Sequence, residues 1–313
     1  MEKNLQKTWI IVLLAMVCCG LWGSAFPFIK LGYAAFRIDA SDTASQLLFA
    51  GVRFTLAGII AWCFGSLVEK KPLIPKAKSA KKIAVLSVFQ TILQYLFFYM
   101  GLAHCSGVKS SVIDGLSAFI TILITTLVFR MERLTAPKIA GCVLGMAGVV
   151  IINLGGDIIG GFALNGEGVL ILSKLSYALS TIFIKRFTAD GDNPVMLSSL
   201  QFLLGGVVLS CVGLAFGGTL PAVTGEGLGI LIYLAFVSAS SYSLWSLLLK
   251  YNPVSRVAVY SFFTPISGVL LSALFLGETA QAFRAEAVAA LALVCAGIYI
   301  VNREWDKKPA ATE

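Results

Sequence analysis

Long runs of apolar residues dominate the chain, and short segments with charges, Pro or Gly separate them. A helix that crosses the hydrocarbon core of a bilayer needs about 20 apolar residues. Ten runs reach about this length, at residues 9–31, 46–68, 83–104, 108–129, 136–154, 167–187, 194–216, 228–249, 255–276 and 284–302. The pattern predicts an all-α integral membrane protein with ten transmembrane helices, which we number as spans one to ten.

The composition supports a membrane protein and excludes a soluble one. Hydrophobic residues make up 58% of the 313 residues and charged residues only 13%, whereas soluble domains carry about 25% charged residues. Ten spanning helices use about 200 residues, so too little chain remains for a water-soluble catalytic domain. No nucleophile and base pair is evident from spacing, and we expect that the protein is not an enzyme.

Lysine and arginine are distributed unevenly over the loops that alternating spans create. Eighteen lie on the side of the termini, six of them within residues 69–82, and only Arg37, Lys109 and Arg284 lie on the other side. Cytoplasmic loops of membrane proteins are enriched in these residues. We predict cytoplasmic termini and an external Asp157. Residues 69–82 also fit docking on anionic lipid headgroups, as an alternative to a topology signal.

The second half of the chain repeats motifs of the first half in the same order. Paired motifs stand 146–155 residues apart: WGSAFPFIK (22–30) with YALSTIFIK (177–185), the ends of spans four and nine with Glu132 and Glu278, and AGVVIIN (147–153) with AGIYIVN (296–302). We predict two repeats, residues 1–154 and 155–313. Each repeat has five helices, an odd number, so the second repeat begins on the opposite side of the membrane and has the inverted topology. Many secondary transporters contain such inverted repeats.

Three ionisable residues lie deep within the predicted spans. Arg53, Asp114 and Lys174 each lie six or seven residues from the external end of their span, roughly 9–12 Å deep. One cation can pair with Asp114, which leaves an excess positive charge and predicts a site for an anion or a zwitterion. The alternative is a structural ion pair, with Arg53 bonded to backbone carbonyls. Asp114 is the only deep acid, so it is the candidate for proton coupling.

Polar residues at helical spacing form stripes on spans three, four, six, eight and nine. A single stripe is equally typical of hydrogen bonds between packed helices, but five stripes together with charges favour a water-filled cavity. The candidate substrate-cavity residues are Trp22, Arg53, Gln94, Asp114, Lys174, Tyr177, Thr181, Tyr242, Trp245 and Thr264. Pro27 and Pro265 interrupt spans one and nine and are candidate hinges.

Few residues are suited to metal or cofactor chemistry. The seven cysteines and the single histidine, His104, lack metal-ligand spacing, and no phosphate-binding loop of the Walker type is present. We therefore expect no metal, no cofactor and no nucleic-acid partner. Spans five and ten carry small residues at close spacing, namely Gly141, Gly145, Gly148, Ala289, Ala292 and Ala296. Such faces permit close helix packing, and a homodimer through spans five and ten is a hypothesis.

Several motifs together resemble the EamA-type branch of the drug/metabolite transporter superfamily. These are WGSAFPFIK in span one, Arg53 within FAGVRFTLAG, ERL after span four, LGE after span nine and the AG-rich last span. The resemblance covers residues 9–302. It implies a ten-helix inner-membrane carrier of metabolites such as amino acids, with a central cavity formed by spans one to four and six to nine.

The leading hypothesis is a secondary active transporter that works by alternating access. Its substrate would be a small polar metabolite such as an amino acid or an organic anion, moved across the plasma membrane. The partners are then a small-molecule substrate and the lipid bilayer. The alternative is a non-transporting membrane receptor or assembly factor of the same fold.

Overall fold

The computed structural model describes residues 5–105, 110, 113–154, 163–277 and 284–306, and all regular structure within them is helical. Ten helical segments follow one another, and we number them α1 to α10. They are α1 Thr8–Phe36, α2 Thr43–Val68, α3 Ala77–Leu102, α4 Leu116–Val128, α5 Ala136–Leu154, α6 Leu164–Ala189, α7 Pro194–Ala215, α8 Gly225–Tyr251, α9 Val254–Leu276 and α10 Ala285–Asp306.

Seven of these helices, α1 to α3 and α6 to α9, are long and apolar enough to cross a membrane. The apolar parts of α4, α5 and α10 within the described residues are shorter. The prediction of an all-helical membrane protein is confirmed, and seven predicted spans coincide with helices of spanning length. The count of ten spans and the inversion of the halves stay predictions. Asp157 and Glu278 lie outside the described residues.

Local side-chain caps fix where several helices begin. The Asp42 carboxylate accepts a hydrogen bond from the Ser45 backbone N–H at the start of α2, and Thr224 does the same for Gly227 in α8. Asn193 caps α7, whose first residue is Pro194. These groups satisfy backbone donors that have no partner inside the helix. The helix ends therefore follow from short sequence signals.

Helices α2 and α7 pack along each other through glycines, and we call this contact the α2–α7 seam. A Cβ atom added to Gly58 would lie 2.6 Å from the Leu203 backbone nitrogen. A Cβ atom added to Gly213 would lie 2.6 Å from the Leu48 backbone nitrogen. Residue numbers rise along α2 as they fall along α7, so the two helices are antiparallel. Only glycine allows backbones to approach this closely.

A second seam joins α5 to α10. A Cβ atom added to either Gly141 or Gly297 would lie 2.8 Å from the carbonyl oxygen of the other. Gly145 faces the ring of Phe119 in α4. Gly141 and Gly145, which belong to the small-residue face of span five, thus pack against helices of the same chain. The homodimer through spans five and ten stays a prediction.

The start of α1, the end of α4 and the junction between α8 and α9 meet at one end of the bundle, which we call the N-terminal face. The Asn252 side-chain amide donates to the Leu5 carbonyl at 3.1 Å, and the Ser255 N–H donates to Glu132 at 3.1 Å. Just inside this face lies a buried apolar cluster, the apolar seal, which includes Ile11, Cys18, Cys19, Trp245, Leu248 and Val257. The seal closes the bundle at this end.

Candidate functional site

A cavity lies on the far side of the apolar seal from the N-terminal face. The centre of a water molecule can occupy about 60 Å³ of it, and the empty space in and in front of it, open solvent included, amounts to about 570 Å³. Its lining comes from α1, α2, α3, α4 with the residues just before it, α6, α8 and α9. It consists of Trp22, Ala25, Phe26, Ile29, Arg53, Gln94, Tyr95, Phe98, Asp114, Ser117, Lys174, Tyr177, Tyr242, Ser261 and Thr264. Eight of the ten candidate residues are among them.

Lys174 and Asp114 form an ion pair in this cavity. The Lys174 ammonium donates to the Asp114 carboxylate and lies 4.8 Å from the centre of the Phe98 ring. The Lys174 side chain is 4% exposed, whereas that of Asp114 is 18% exposed. The lysine is therefore held inside the cavity by the carboxylate and the ring face, while the carboxylate keeps contact with the mouth.

Arg53 lines the same cavity with a different set of partners. Its guanidinium donates to the Tyr99 hydroxyl at 2.9 Å, to the Ser238 hydroxyl at 2.9 Å and to the Leu234 carbonyl at 3.3 Å. The side chain also stacks over Phe54, 4.9 Å from the ring centre. Its partners are neutral, and no carboxylate of the described residues pairs with it.

The lining charges do not balance. Arg53 and Lys174 are cationic and Asp114 is anionic, so the lining residues carry one excess positive charge. A charge in a membrane-embedded site is costly unless water or a counter-ion compensates it. The cavity therefore favours an anionic group or the carboxylate of a zwitterion.

Aromatic side chains form the inner wall of the cavity. The Tyr95 and Tyr242 hydroxyls are 2.7 Å apart, and the Gln94 amide donates to Tyr242 at 3.0 Å. The Trp22 ring meets the rings of Tyr242 and Trp245 edge-on at 5.1 and 5.0 Å between centroids. This packing fixes the orientation of the Trp22 indole.

Four polar atoms of the cavity lining have no hydrogen-bond partner within the described residues. They are Trp22 Nε1, Gln94 Oε1, Tyr177 Oη and Thr264 Oγ1. Buried polar atoms are normally hydrogen-bonded, because an unmet group costs about 1–3 kcal/mol. Three of the four can donate, so this wall suits a ligand or water that accepts hydrogen bonds.

Two candidate residues lie outside the cavity lining, and three aromatic lining residues, Phe26, Tyr95 and Phe98, were not among the candidates. The Thr181 hydroxyl donates to the Tyr177 carbonyl of its own helix, and Trp245 is buried behind Trp22 in the apolar seal. Neither residue lines this cavity, because a helical stripe continues past its floor, and a role in substrate binding stays a prediction for both. Tyr95 and Phe98 line the cavity beside Gln94, and the helical spacing of residues 94 and 98 is the signal that points to Phe98.

Both predicted hinge prolines are buried inside helices, Pro27 in α1 and Pro265 in α9. Helices α1 and α9 make close contact near both prolines, where a Cβ atom added to Gly23 would lie 2.8 Å from the Gly268 nitrogen. Each proline removes one backbone hydrogen bond of its helix. A role as hinges stays a prediction.

Metal-binding residues are not grouped in the described parts of the chain. No three His, Cys, Asp or Glu side chains there lie close enough together to hold a metal ion. The geometry of the cavity is instead that of a pocket with fixed charges and hydrogen-bond donors.

Two stretches of the chain, residues 9–154 and 164–303, match the model of the EamA-like transporter family. The chain belongs to the EamA-like transporter family. It is thus a multi-pass membrane protein of the drug/metabolite transporter superfamily, as the sequence motifs indicate. The matched stretches include every residue that lines the cavity.

Relatives at low identity cover almost the whole chain. A protein of Salmonella typhimurium named a probable amino-acid metabolite efflux pump is 28% identical, over 92% of this chain and 93% of its own length. The transporter YvbV of Bacillus subtilis is 26% identical, over 99% of this chain and 96% of its own length. A solved crystal structure with 17% identity superposes with a TM-score of 0.73 and covers 96% of this chain and 100% of its own. This last likeness concerns the fold alone.

Proposed function

We propose that this EamA-like protein is a secondary active carrier of a small metabolite with an anionic group, such as an amino acid or an organic anion. It moves the substrate across the bacterial plasma (inner) membrane by alternating access and catalyses no chemical reaction. Relatives named amino-acid metabolite efflux pumps support a transporter of this kind. The excess positive charge of the cavity supports an anionic group on the substrate.

The proposed architecture has ten transmembrane helices in two inverted repeats, residues 1–154 and 155–313, with both termini in the cytoplasm. Two observations support the inversion. The family model matches the chain twice, and the second helix of one half packs antiparallel to its counterpart in the other half. An axis in the membrane plane that relates the halves produces such antiparallel pairs. The N-terminal face is then the cytoplasmic face.

The ion pair of Lys174 and Asp114 is the observation that carries the proposal. In the empty carrier the carboxylate neutralises the lysine, and a substrate anion competes for the same ammonium. Trp22 Nε1, Tyr177 Oη and Thr264 Oγ1 offer further donors to the substrate oxygens. Asp114, released from Lys174 and partly exposed, is the group that accepts a proton if transport is coupled to protons.

Counterflow in proteoliposomes tests this mechanism. The purified protein is reconstituted and the exchange of labelled amino acids and organic anions is measured. We expect that Lys174→Met abolishes exchange, because the ammonium that receives the anion is lost, while Lys174→Arg retains part of it. Lys250→Met, which removes a lysine at the N-terminal face far from the cavity, serves as the matched control.

The double variant Lys174→Met with Asp114→Asn separates pairing from transport. Removing one partner of a buried ion pair costs about 3–5 kcal/mol, so each single variant is expected to unfold at a lower temperature than the double variant. Normal exchange by Lys174→Met would refute the role of Lys174. Tight substrate binding without any flux would support a receptor instead of a carrier.

A further inference from the structure

Lys185 of α6 binds the end of α8 at the N-terminal face. Its ammonium donates to the carbonyl oxygens of Leu249 at 2.9 Å, Lys250 at 3.3 Å and Asn252 at 2.9 Å. The last carbonyls of a helix lack partners within the helix and carry the negative end of its dipole. A cation is therefore matched to this helix end.

Glu132, which follows α4, binds the start of α9, the helix that follows the junction, and its charge is opposite to that of Lys185. One carboxylate oxygen accepts from the Ser255 N–H at 3.1 Å in the first turn of α9, and the other accepts from Lys138 at 3.0 Å. The start of a helix carries the positive end of its dipole. The α8–α9 junction, residues 251–254, is thus held on one side by a cation and on the other by an anion.

The apolar seal lies directly inside this junction. Cys18 of α1 donates to the Ser241 carbonyl of α8 at 3.5 Å, and Cys19 donates to the Tyr260 carbonyl of α9 at 3.3 Å. Both cysteines have 0% exposure. A movement that carries α8 and α9 away from α1 would open these two contacts.

Helix α6 carries one residue of the cavity ion pair and one residue that binds the α8–α9 junction, and the same is true of the two ends of α4. Lys185 follows Lys174 by eleven residues in α6, which places both on one face of the helix, about 16 Å apart along its axis. Asp114 and Glu132 flank α4 at its two ends. A shift of α6 against α4 at the cavity is thus transmitted to the junction.

We propose that Lys185 and Glu132 form the gate of the N-terminal face. They hold the α8–α9 junction closed beneath the cavity, and their release opens the cavity to this side. The proposal rests on the proposed carrier function.

The chemistry of these contacts suits a switch. Lys185 is only half-buried, and its partners are backbone groups at helix ends. Water can take over these backbone carbonyls at a helix end when Lys185 withdraws. The sequence repeat also supports a role for these two residues, because the paired motifs align Lys185 with Lys30 and Glu132 with Glu278.

The native cysteines of the seal report the state of the gate. In a variant whose only cysteines are Cys18 and Cys19, a membrane-impermeant maleimide is added at the N-terminal face of vesicles of known orientation, and labelling is followed by mass spectrometry. Lys185→Met in this background is expected to raise the labelling rate about tenfold or more, a shift of about 1.4 kcal/mol in the equilibrium between closed and open states. Lys185→Arg, which keeps the donors, is expected to restore slow labelling.

Lys250→Met is the matched control, because Lys250 lies at the same junction but its ammonium contacts the Tyr251 ring. Equal labelling rates in Lys185→Met and its parent, or an equal rise in Lys250→Met, would overturn the gate. Glu132→Ala gives the same test if Lys185→Met does not fold. Labelling needs no substrate, so faster labelling together with an absence of flux in proteoliposomes would keep the gate and refute the carrier function.

Discussion

Gly58 in the α2–α7 seam is the position where one added methyl group has the clearest consequence. A Cβ atom there would lie 2.6 Å from the Leu203 nitrogen, 2.8 Å from the Ser199 carbonyl oxygen and 2.9 Å from the Leu203 Cα. All three are backbone atoms, which cannot move without moving α7. Ordinary contacts begin near 3.4 Å, so Gly58→Ala forces the two helices apart by about 0.8 Å.

The expected cost follows from overpacking in a close-packed interior, which is typically about 1–3 kcal/mol. For a protein of this size about 1 kcal/mol lowers the melting temperature by about 2–4 °C. We therefore expect Gly58→Ala to lower the Tm of the purified protein in detergent by about 2–12 °C, measured by thermal unfolding monitored by fluorescence.

Gly20→Ala is the matched control, because no atom lies within 4 Å of a Cβ atom added at Gly20. Alanine also forms helices better than glycine, so this variant is expected to keep or slightly raise the Tm. Adding Leu203→Ala to Gly58→Ala should not restore stability, because the clash is with backbone atoms. An unchanged Tm for Gly58→Ala, or rescue by Leu203→Ala, would refute the geometry of the seam.

Two further predictions concern the cavity and the N-terminal face. Trp22→Phe keeps an aromatic ring beside Tyr242 but removes the indole N–H, and is expected to weaken apparent substrate affinity in counterflow about five- to tenfold with an unchanged Tm. Burial raises the pKa of the Asp192 carboxyl, but hydrogen bonds from Lys82 at 2.8 Å and Ser79 at 2.6 Å lower it, and the net pKa lies below its ordinary value. This stabilisation is present above the unfolded pKa of about 3.9 and is lost as pH falls through the lower folded pKa, so Asp192→Asn should lower the Tm at pH 7. A deficit that does not shrink as the pH falls below about 3.9 would contradict this.

Much of the fold follows from the length and spacing of apolar runs. The predicted spans 46–68, 136–154 and 194–216 differ from α2, α5 and α7 by at most three residues at either end. Span one was placed at 9–31, whereas α1 continues to Phe36 and ends where Arg37 adopts a left-handed backbone with φ 56°. Polar residues near a membrane surface do not mark where a helix ends, so the apolar run underestimates its length.

The charged residues of the cavity could be predicted from the sequence, whereas several of its aromatic residues could not. A charge inside a span has few stable environments, so Lys174, Asp114 and Arg53 pointed to one site. Tyr95 and Phe98 were missed because an aromatic residue in an apolar span is as well suited to lipid or to packing. The partners of Lys185 and the N–H bound by Glu132 are backbone atoms, and a sequence does not show which backbone atoms a side chain will reach.

The two seams bear on how such a carrier can move. Each seam ties a helix of the first half to a helix of the second through contacts between backbones, α2 to α7 and α5 to α10. Helices joined in this way travel together, because tilting one against the other would separate surfaces that have no side chains to fill the gap. A rocking motion of one sequence half against the other would break both seams. In the proposed transport cycle we therefore expect composite rigid bodies, each drawing helices from both halves of the chain.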